Sequence, residues 1–282
     1  MANGIEKIRE YFASYENQYT IIGGFACDIQ MKDAGFDFRQ TVDIDMVLTV
    51  EALTVDFANA FWKFIEDGGY QARQRSTGKP EFYRFINPTD PSYPKMIELF
   101  SRTQNNVILK ADTHLTPIHI DDEVSSLSAI LLNDDYYAFL LDGKTSVDGV
   151  SILDAEHIIP MKMKAWLDLK ARKSEGIHVD SKDIKKHRLD VFRLFPLIRQ
   201  DATIQVPQSI YNDICEFIAD MRTENINLRD IGIQRSKDSI LDIYSHIYVA
   251  DPFFSENNLT HVRKSVQELR EGKGTVHDLI EE

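Results

Sequence analysis

Two short apolar runs near the N-terminus, and the residues that interrupt them, most constrain the fold of this chain. The first run, YTII, stops at Gly23-Gly24 and is followed by the helix-like stretch FACDIQMK. The second run, DIDMVLTV, begins with Asp43 and Asp45. Residues two apart on a strand point to the same face, so these two carboxylates would stand side by side. Like charges in that position repel unless a shared cation neutralises them.

Composition and charge distribution narrow the class of protein. The 282 residues are 43% hydrophobic and 27% charged, which is typical of an ordinary soluble globular protein. A formal net charge of −13 argues against general coating of nucleic acid. Residues 162–193, however, contain ten Lys or Arg against five acids, a local charge of +5, while the rest of the chain carries −18. One basic island in an acidic protein indicates a specific anion site.

Sequence signals for a membrane or for secretion are absent. No stretch approaches the run of about 18 apolar residues that a transmembrane helix requires. The first residues contain interspersed acids instead of the apolar block of a secretory signal. Cys27 and Cys215 are too few for a disulfide framework. We therefore expect a cytoplasmic protein that has no membrane partner.

The order of predicted elements divides the chain into two parts. Residues 1–123 alternate strands and helices, with strands predicted at 19–22, 43–50, 81–87 and 94–102. Residues 124–282 are predicted to be mainly helical, with helices near 156–171, 181–196, 207–222, 236–248 and 259–271. Segment 124–154 links the two parts and includes a small hairpin at 145–153. The predicted fold class is α+β, a mixed sheet with helices followed by an all-helical region.

A third acid completes a set suited to nucleotidyl transfer. Glu98 lies between apolar residues in KMIELF, a short strand that should belong to the core. Two carboxylates on one strand and a third from a neighbouring strand can bind two Mg²⁺ ions. One ion would activate the attacking hydroxyl, and the other would stabilise the leaving pyrophosphate. Glycines at the strand end let backbone N–H groups approach phosphate, near the positive end of the next helix.

The stretches GGFAC, RQTVDIDM and IEL together resemble the DNA polymerase β-like nucleotidyltransferase superfamily. More narrowly, GG-x-A followed by R-x-T-x-D-I-D is similar to the AbiEii-type nucleotidyltransferases, known as toxins of toxin–antitoxin and phage-defence pairs. The resemblance extends over residues 19–196. It implies a catalytic, metal-binding set of Asp43, Asp45 and Glu98. It also implies a phosphate-binding set of Gly23, Gly24, Arg39 and Thr41.

The spacing of these motifs departs from the superfamily at one point. Eighteen residues separate Gly24 from Asp43, which is more than the usual interval. The additional residues are expected to form a loop at MKDAGFDF, and this loop would change the shape of the pocket.

A lysine further along the chain also fits the resemblance. At about 100° per residue, Lys162 lies near the centre of an apolar helical arc, and Lys164 falls about 160° away on the polar side. The arc consists of Ile158, Ala165, Trp166 and Leu169. A lysine in an apolar arc needs an anionic partner, and a triphosphate is one candidate.

The next predicted helix carries a charged face. Asp183, Lys186, His187 and Asp190 share this face at i, i+3, i+4 and i+7. Lys186, His187 and Asp190 match the family's charged KD-x-x-D-L patch approximately, with His in place of the first Asp. The resemblance implies that these three residues contribute to nucleotide binding.

Each motif also has a purely structural interpretation. The acid pair could lie in a turn at the strand end, the glycine pair could be a simple turn, and RQT could be an ordinary loop. Glu98 could form an ion pair with Arg84 or Arg102. Lys162 could extend to water along Trp166. The charged helix face could be solvated.

Three hypotheses for function follow from these residues. The first is a nucleotidyltransferase that uses Mg²⁺ or Mn²⁺ and a nucleoside triphosphate, with a hydroxyl of RNA, protein or a small molecule as acceptor. The resemblance to the AbiEii-type proteins adds the role of a toxin and a cognate antitoxin as partner. The second is a nucleotide-sensing or protein-binding module on the same fold without turnover. The third is a structural helical protein, which requires that the first half contain no mixed sheet.

Overall fold

A mixed seven-stranded sheet organises the computed structural model of the chain. The structure describes residues 4–39, 41–49, 52–74, 80–100, 108–110, 113–114, 130, 133–254 and 256–273. The strands of this sheet are β1 Tyr19–Ile22, β2 Asp43–Leu48, β3 Gln71–Gln74, β4 Pro80–Ile86, β5 Met96–Phe100, β8 Lys144–Val147 and β9 Val150–Leu153. Two short strands, β6 Ile108–Lys110 and β7 Thr113–His114, pair with each other.

The order of strands across the sheet is β3-β4-β5-β2-β1-β9-β8. The central strand β2 pairs antiparallel with β1 and parallel with β5. Strand β9 joins the other edge of β1 in the parallel direction and forms an antiparallel hairpin with β8. All four residues of β1 and all four of β9 are buried, as expected of strands covered on both faces.

Nine helices lie in the described part of the chain. In the first half these are α1 Ile5–Phe12, α2 Gly23–Asp33, α3 Val55–Asp67 and α4 Asp134–Asp142. In the second half they are α5 Ala155–Ser174, α6 Ser181–Arg193, α7 Gln208–Thr223, α8 Lys237–Ile247 and α9 Glu256–Arg270. Side-chain caps start many of them: Thr54 caps α3, Asp154 caps α5 and Asp180 caps α6.

An aromatic cluster fixes α1 and α3 on the sheet. Phe12 of α1 packs against Tyr19 of β1 and against three rings of α3, namely Phe57, Phe61 and Phe64. All five side chains are fully buried. Burial of large aromatic side chains contributes about 2–3 kcal/mol each, so this cluster is a principal source of stability for the first half.

The long helix α5 connects the sheet to the second half. It packs against α6, α7 and α2. Its apolar residues Ile158, Ala165 and Trp166 are buried, and Trp166 meets Phe217 of α7 edge to face. This packing brings the middle of α5 and the C-terminal half of α6 close to the loop that precedes β2.

The structure confirms the predicted α+β class. The mixed sheet in the first half contradicts the hypothesis of a wholly helical structural protein. The predicted helices at 156–171, 181–196, 207–222, 236–248 and 259–271 correspond to α5 to α9. In the linking segment 124–154 the structure describes α4 before the hairpin, while residues 124–129 and 131–132 lie outside the described part.

Two features of the second half differ from the sequence prediction. The region after residue 155 is not all helical, because β10 Ile204–Val206 and β11 Tyr248–Ala250 form a short parallel pair. The hairpin at 145–153 is not confined to a linker, because β9 continues the main sheet beside β1. The sheet thus takes strands from both sides of residue 123, and the division into domains 1–123 and 124–282 stays a prediction. In the described part of the chain no helix has the length and apolar character needed to span a bilayer.

Candidate functional site

Two half-buried carboxylates stand at the beginning of β2. Asp43 and Asp45 alternate with the buried Ile44 and Met46, so both acids point to the same face of the sheet. This placement is the one the i, i+2 spacing predicts. The two acids lie within the strand, which excludes the alternative in which they belong to a turn.

The third predicted acid, Glu98, lies beside Asp45. Glu98 of β5 is in register with Asp45 of β2, and neighbouring strands are about 4.8 Å apart. Its side chain is buried and forms an ion pair with Arg84 of β4, the residue in register with it on the other side. Glu98 therefore forms the structural ion pair with Arg84, and it also lies beside Asp45. Arg102, the other partner considered, lies outside the described residues.

Burial and mutual repulsion make these acids hard to ionise. Burial, followed by the neighbouring Glu98 carboxylate, raises the pKa of Asp45 to about 7, while Lys162 and Lys186 act in the opposite direction. Burial also raises the pKa of Asp43, against the positive charges of Lys186 and Arg84. The face of β2 is thus a position where negative charge is incompletely balanced by the protein.

The glycine pair makes room for this site. Gly23 starts α2 with φ +71°, and a methyl group there would lie 2.1 Å from Oδ2 of Asp45. A methyl group on Gly24 would lie 2.9 Å from Oγ1 of Thr41 and 3.1 Å from a terminal nitrogen of Arg39. The start of α2, the loop before β2 and the acid pair therefore meet in one place, which a side chain at either glycine would disrupt.

The buried carboxylate of Asp190, on α6, forms ion pairs with three cationic side chains. Arg39 donates two hydrogen bonds to it, from Nε at 2.9 Å and from Nη2 at 2.7 Å. Lys162 Nζ lies 3.2 Å away, and so does Nη1 of Arg193. Asp190 is 0% exposed and Lys162 is 1% exposed. Burial alone would raise the pKa of Asp190, but Lys162 and Arg39 outweigh it and hold that pKa well below its usual range.

This cluster changes the interpretation of Lys162. The helical arc placed Lys162 inward and Lys164 on the polar side, and the structure has Lys162 buried and Lys164 partly exposed. The alternative in which Lys162 reaches water is excluded by its burial. Its anionic partner within the protein is Asp190. Lys164 instead pairs with Asp168 and Asp213.

The charged face of α6 divides into an exposed and a buried part. Lys186 and Asp183 are exposed, whereas His187 and Asp190 are buried. Burial, followed by the charges of Lys162 and Lys186, lowers the pKa of His187 well below its ordinary value, so its ring is neutral. Nδ1 of His187 is buried and has no hydrogen-bond partner in the described part of the chain. The charged face of α6 is therefore not fully solvated, which excludes that alternative.

The sequence did not predict Arg193 as a member of the ion cluster or Cys27 as its neighbour. Arg193 lies three residues after Asp190, so helical spacing could have indicated it. Cys27 donates its thiol hydrogen to the carbonyl of Gly23 at 2.9 Å, and burial raises its pKa to about 12. Its proximity to Lys162 and Asp190 has no signal in the local sequence.

Two of the three predicted ligands are suited to bind a divalent cation. Asp43 and Asp45 offer the carboxylate oxygens that Mg²⁺ prefers, and a cation would offset both the burial that raises the pKa of the two acids and the repulsion of Asp45 by Glu98. Glu98 is engaged by Arg84. Among the described residues no group of three or more His, Cys, Asp or Glu side chains is arranged to hold a metal ion. The three-carboxylate metal site stays a prediction.

Comparisons with known proteins give little further information. No protein-family model matches the chain, and no curated protein matches it. A structural match exists to the solution structure of the antibiotic-resistance factor ANT(2'')-Ia, with a TM-score of 0.33 and 15% sequence identity. It covers 67% of this chain and 82% of that chain. A likeness of this degree does not show the function of the chain.

The contact between Gly23 and Asp45 can be tested with a matched pair of substitutions. Gly23→Ala should destabilise the fold more than Gly35→Ala, because both glycines have positive φ but only Gly23 has a neighbour within 4 Å. Gly35→Ala should cost about 1–2 kcal/mol for the left-handed backbone alone. Urea unfolding of both variants measures the difference. Equal costs would show that Gly23 is required only for its backbone conformation.

The raised pKa of Asp45 predicts a pH-dependent cost in stability. An unfolded aspartic acid titrates near about 3.9, so between that pH and about 7 the folded state retains a proton that the unfolded state has lost. The contribution of Asp45 to the free energy of unfolding therefore falls as the pH rises through this window. Asp45→Asn removes this fall, so the variant should gain stability relative to wild type from pH 4 to pH 7.

Urea unfolding in EDTA across this pH range measures the effect. Asp37→Asn, a change at an exposed loop acid, is the matched control and should follow the wild type at every pH. A constant difference between Asp45→Asn and wild type from pH 4 to pH 7 would contradict the assignment of Asp45 as a group that is hard to ionise.

Proposed function

We propose that this chain is a metal-dependent nucleotidyltransferase that moves a nucleotidyl group from a nucleoside triphosphate to a hydroxyl. The observation that carries the proposal is the face of β2, where Asp43 and Asp45 stand beside Glu98 and against the glycine start of α2. Incompletely balanced acids next to a helix N-terminus suit a cation and a phosphate together.

Asp43 and Asp45 would hold Mg²⁺ or Mn²⁺. When bound, such an ion lowers the pKa of an attacking hydroxyl and offsets charge that develops on phosphate. Glu98 would join as a further ligand, or as the base for the acceptor, on release from Arg84. The repulsion between Asp45 and Glu98 favours occupation of this position by a cation.

The triphosphate would occupy the space beside the start of α2. Backbone N–H groups of Gly23 and Gly24, together with the side chains of Arg39 and Thr41, surround that position. Lys186 is exposed on α6 and its charge acts on both Asp43 and Asp45, so it can contact a phosphate directly. His187 is neutral and would act as a hydrogen-bonding group.

Lys162 and Asp190 would act as positioning residues. Asp190 holds the guanidinium of Arg39 through two hydrogen bonds, and Lys162 holds Asp190. The positive charge of Lys162 also favours the ionised form of Asp45. Both residues thus influence the nucleotide site through Arg39 and through the local electric field.

The acceptor is inferred from the charge of α6, and the biological setting from the sequence motifs. The basic island places Lys182, Lys185 and Lys186 on the exposed surface of α6, which favours RNA over protein or a small molecule as the acceptor. The role of a toxin with a cognate antitoxin rests on the resemblance of GGFAC, RQTVDIDM and IEL to the AbiEii-type proteins. A cytoplasmic setting agrees with that role.

One observation favours a second candidate function. Because Glu98 is engaged by Arg84, the site offers two free carboxylates instead of three. A site with two ligands could bind a nucleotide with its cation and perform no transfer. The second candidate is therefore a nucleotide-sensing or protein-binding module on the same fold.

Substitution of the two lysines of α5 tests the positioning role. Lys162→Met should weaken triphosphate binding about tenfold or more, because Asp190 without this lysine holds Arg39 less firmly beside the phosphate position, and loss of a supporting contact of this kind costs about tenfold or more. Lys164→Met should have little effect, because its partners are Asp168 and Asp213. Calorimetric titration with triphosphate and Mg²⁺ measures both. Because Lys162→Met leaves Asp190 short of a partner, urea unfolding of both variants accompanies the titration and distinguishes a loss of binding from a loss of folding. Equal affinities for the two single variants would refute the role.

Labelled-nucleotide transfer tests the enzymatic proposal. Wild type is incubated with Mg²⁺ or Mn²⁺, each labelled nucleoside triphosphate in turn, and total RNA, cell lysate or aminoglycosides as acceptor. Asp45→Asn should lose transfer by orders of magnitude, because a cation contributes several kcal/mol to the transition state. Asp37→Asn should retain wild-type transfer. An absence of transfer by the wild type with every nucleotide and acceptor would favour the sensing module.

A further inference from the structure

A row of three charged side chains crosses the sheet beside the proposed cation site. Arg84 of β4 is in register with Glu98 of β5, and Glu98 is in register with Asp45 of β2. Residues in register on neighbouring strands point to the same face of a sheet, so the three side chains share the face that carries Asp43. The charges along this row are positive, negative and negative.

Arg84 and Glu98 form a buried ion pair at one end of the row. Their side chains are 12% and 7% exposed, so little water reaches either charge. A buried carboxylate requires a positive charge beside it, and Arg84 provides that charge to Glu98. The charge of Arg84 also acts on Asp43 of β2. Arg84 therefore influences acids on both of the strands that carry the predicted metal ligands.

Arg84 and a divalent cation on the acid pair would attract Glu98 from opposite sides. Arg84 lies one strand away on β4 and Asp45 one strand away on β2, which is about 4.8 Å in each direction. A guanidinium and a divalent cation repel each other, and the repulsion is stronger where water is excluded. Contact of Glu98 with the cation would therefore weaken its contact with Arg84.

We infer that Arg84 is a positioning residue that competes with the divalent cation for Glu98. While Arg84 holds Glu98, the cation binds through Asp43 and Asp45, and it binds more weakly than three available carboxylates would bind it. Arg84 thus sets the affinity of the site for its cation without contacting the cation. This role rests on the proposed function, because it concerns the cation of the same site.

A purely structural ion pair predicts a different result when Arg84 is removed. In both cases Arg84→Met leaves the buried Glu98 without this partner and destabilises the metal-free chain. If the pair is only structural, the affinity for a cation stays the same or falls, because the strands around the site are less firmly held. If Arg84 competes, the affinity rises, because Glu98 becomes available and a positive charge beside the site is lost.

Calorimetric titration with Mn²⁺ alone, above pH 7 so that Asp45 is ionised, measures this difference. Arg84→Met should bind Mn²⁺ about tenfold or more tightly than wild type, because a repulsive charge is lost and a carboxylate ligand is gained. Arg84→Lys keeps the charge beside Glu98 and should stay within about threefold of wild type. Arg222→Met removes the same charge from α7, where Arg222 pairs with Asp242, and should match wild type.

The double variant Arg84→Met/Glu98→Gln shows whether Glu98 is already a ligand in the wild type. It removes both charges of the pair, so it leaves no buried charge there and should fold even if Arg84→Met does not. Its affinity for Mn²⁺ should stay within about threefold of wild type, because the pair that it removes is neutral. Melting temperatures with and without Mn²⁺ accompany each titration. The increase on addition of Mn²⁺ should be largest for Arg84→Met, which binds the cation most tightly.

Two results would overturn the role of Arg84 alone. Equal or weaker binding of Mn²⁺ by folded Arg84→Met would make the ion pair purely structural. A loss of affinity of about tenfold or more in the double variant would show that Glu98 is a ligand while it is paired with Arg84. Both results leave the proposed function in place, because the wild type still binds Mn²⁺. An absence of Mn²⁺ binding by the wild type and by Arg84→Met would contradict the proposed function as well.

Discussion

The buried carboxylate of Asp190 is the interaction on which the rest of the site depends. It joins three parts of the chain that are distant in sequence: the loop before β2 through Arg39, helix α5 through Lys162, and α6 through Arg193. Removal of water from these charges is costly, and the cost is offset only while all the partners are in place. Loss of Asp190 would leave the buried Lys162 without this partner and would release Arg39 from its position beside Gly24.

The acids of β2 have too few positive charges beside them, in contrast to Asp190. Asp190 has an excess of cations and a lowered pKa, whereas Asp45 has Glu98 beside it and a raised pKa. Both carboxylates lie in one region of the fold, so the difference is due to their immediate neighbours. A fold that neutralises one acid so fully and leaves another pair unbalanced supports the proposal that an external cation binds there. The glycines at the start of α2 and the exposed Lys186 lie close to the acid pair, as the proposed phosphate site requires.

Local patterns predicted the parts of this site that depend on neighbouring residues in sequence. The alternation in DIDMVL predicted that Asp43 and Asp45 share a face, and helical periodicity predicted that Lys162 points inward and Lys164 does not. These inferences succeed because strand and helix geometry fix the direction of a side chain once the element is known.

Local patterns do not predict which residues distant in sequence come into contact. Whether Glu98 meets Arg84 or Arg102 depends on how β4 and β5 align, and the bond between Arg39 and Asp190 spans 151 positions of sequence. The addition of β9 to the main sheet and the pairing of β10 with β11 are also consequences of tertiary packing. Three-residue strands have too little periodicity to be distinguished from loops.

The proposed binding of a cation by Asp43 and Asp45 connects these observations to function, and electron paramagnetic resonance of Mn²⁺ measures it directly. Free aqueous Mn²⁺ gives a sharp signal that disappears on binding, so titration with the protein gives the bound fraction without any need to know the acceptor. With each signal referred to the same mixture without protein, wild type should lower the free Mn²⁺ signal, and lower it further with a nucleoside triphosphate present, whereas Asp43→Asn/Asp45→Asn should match the protein-free mixture. A wild-type protein that leaves the free Mn²⁺ signal unchanged, with and without triphosphate, would contradict the assignment of the β2 acids as a cation site.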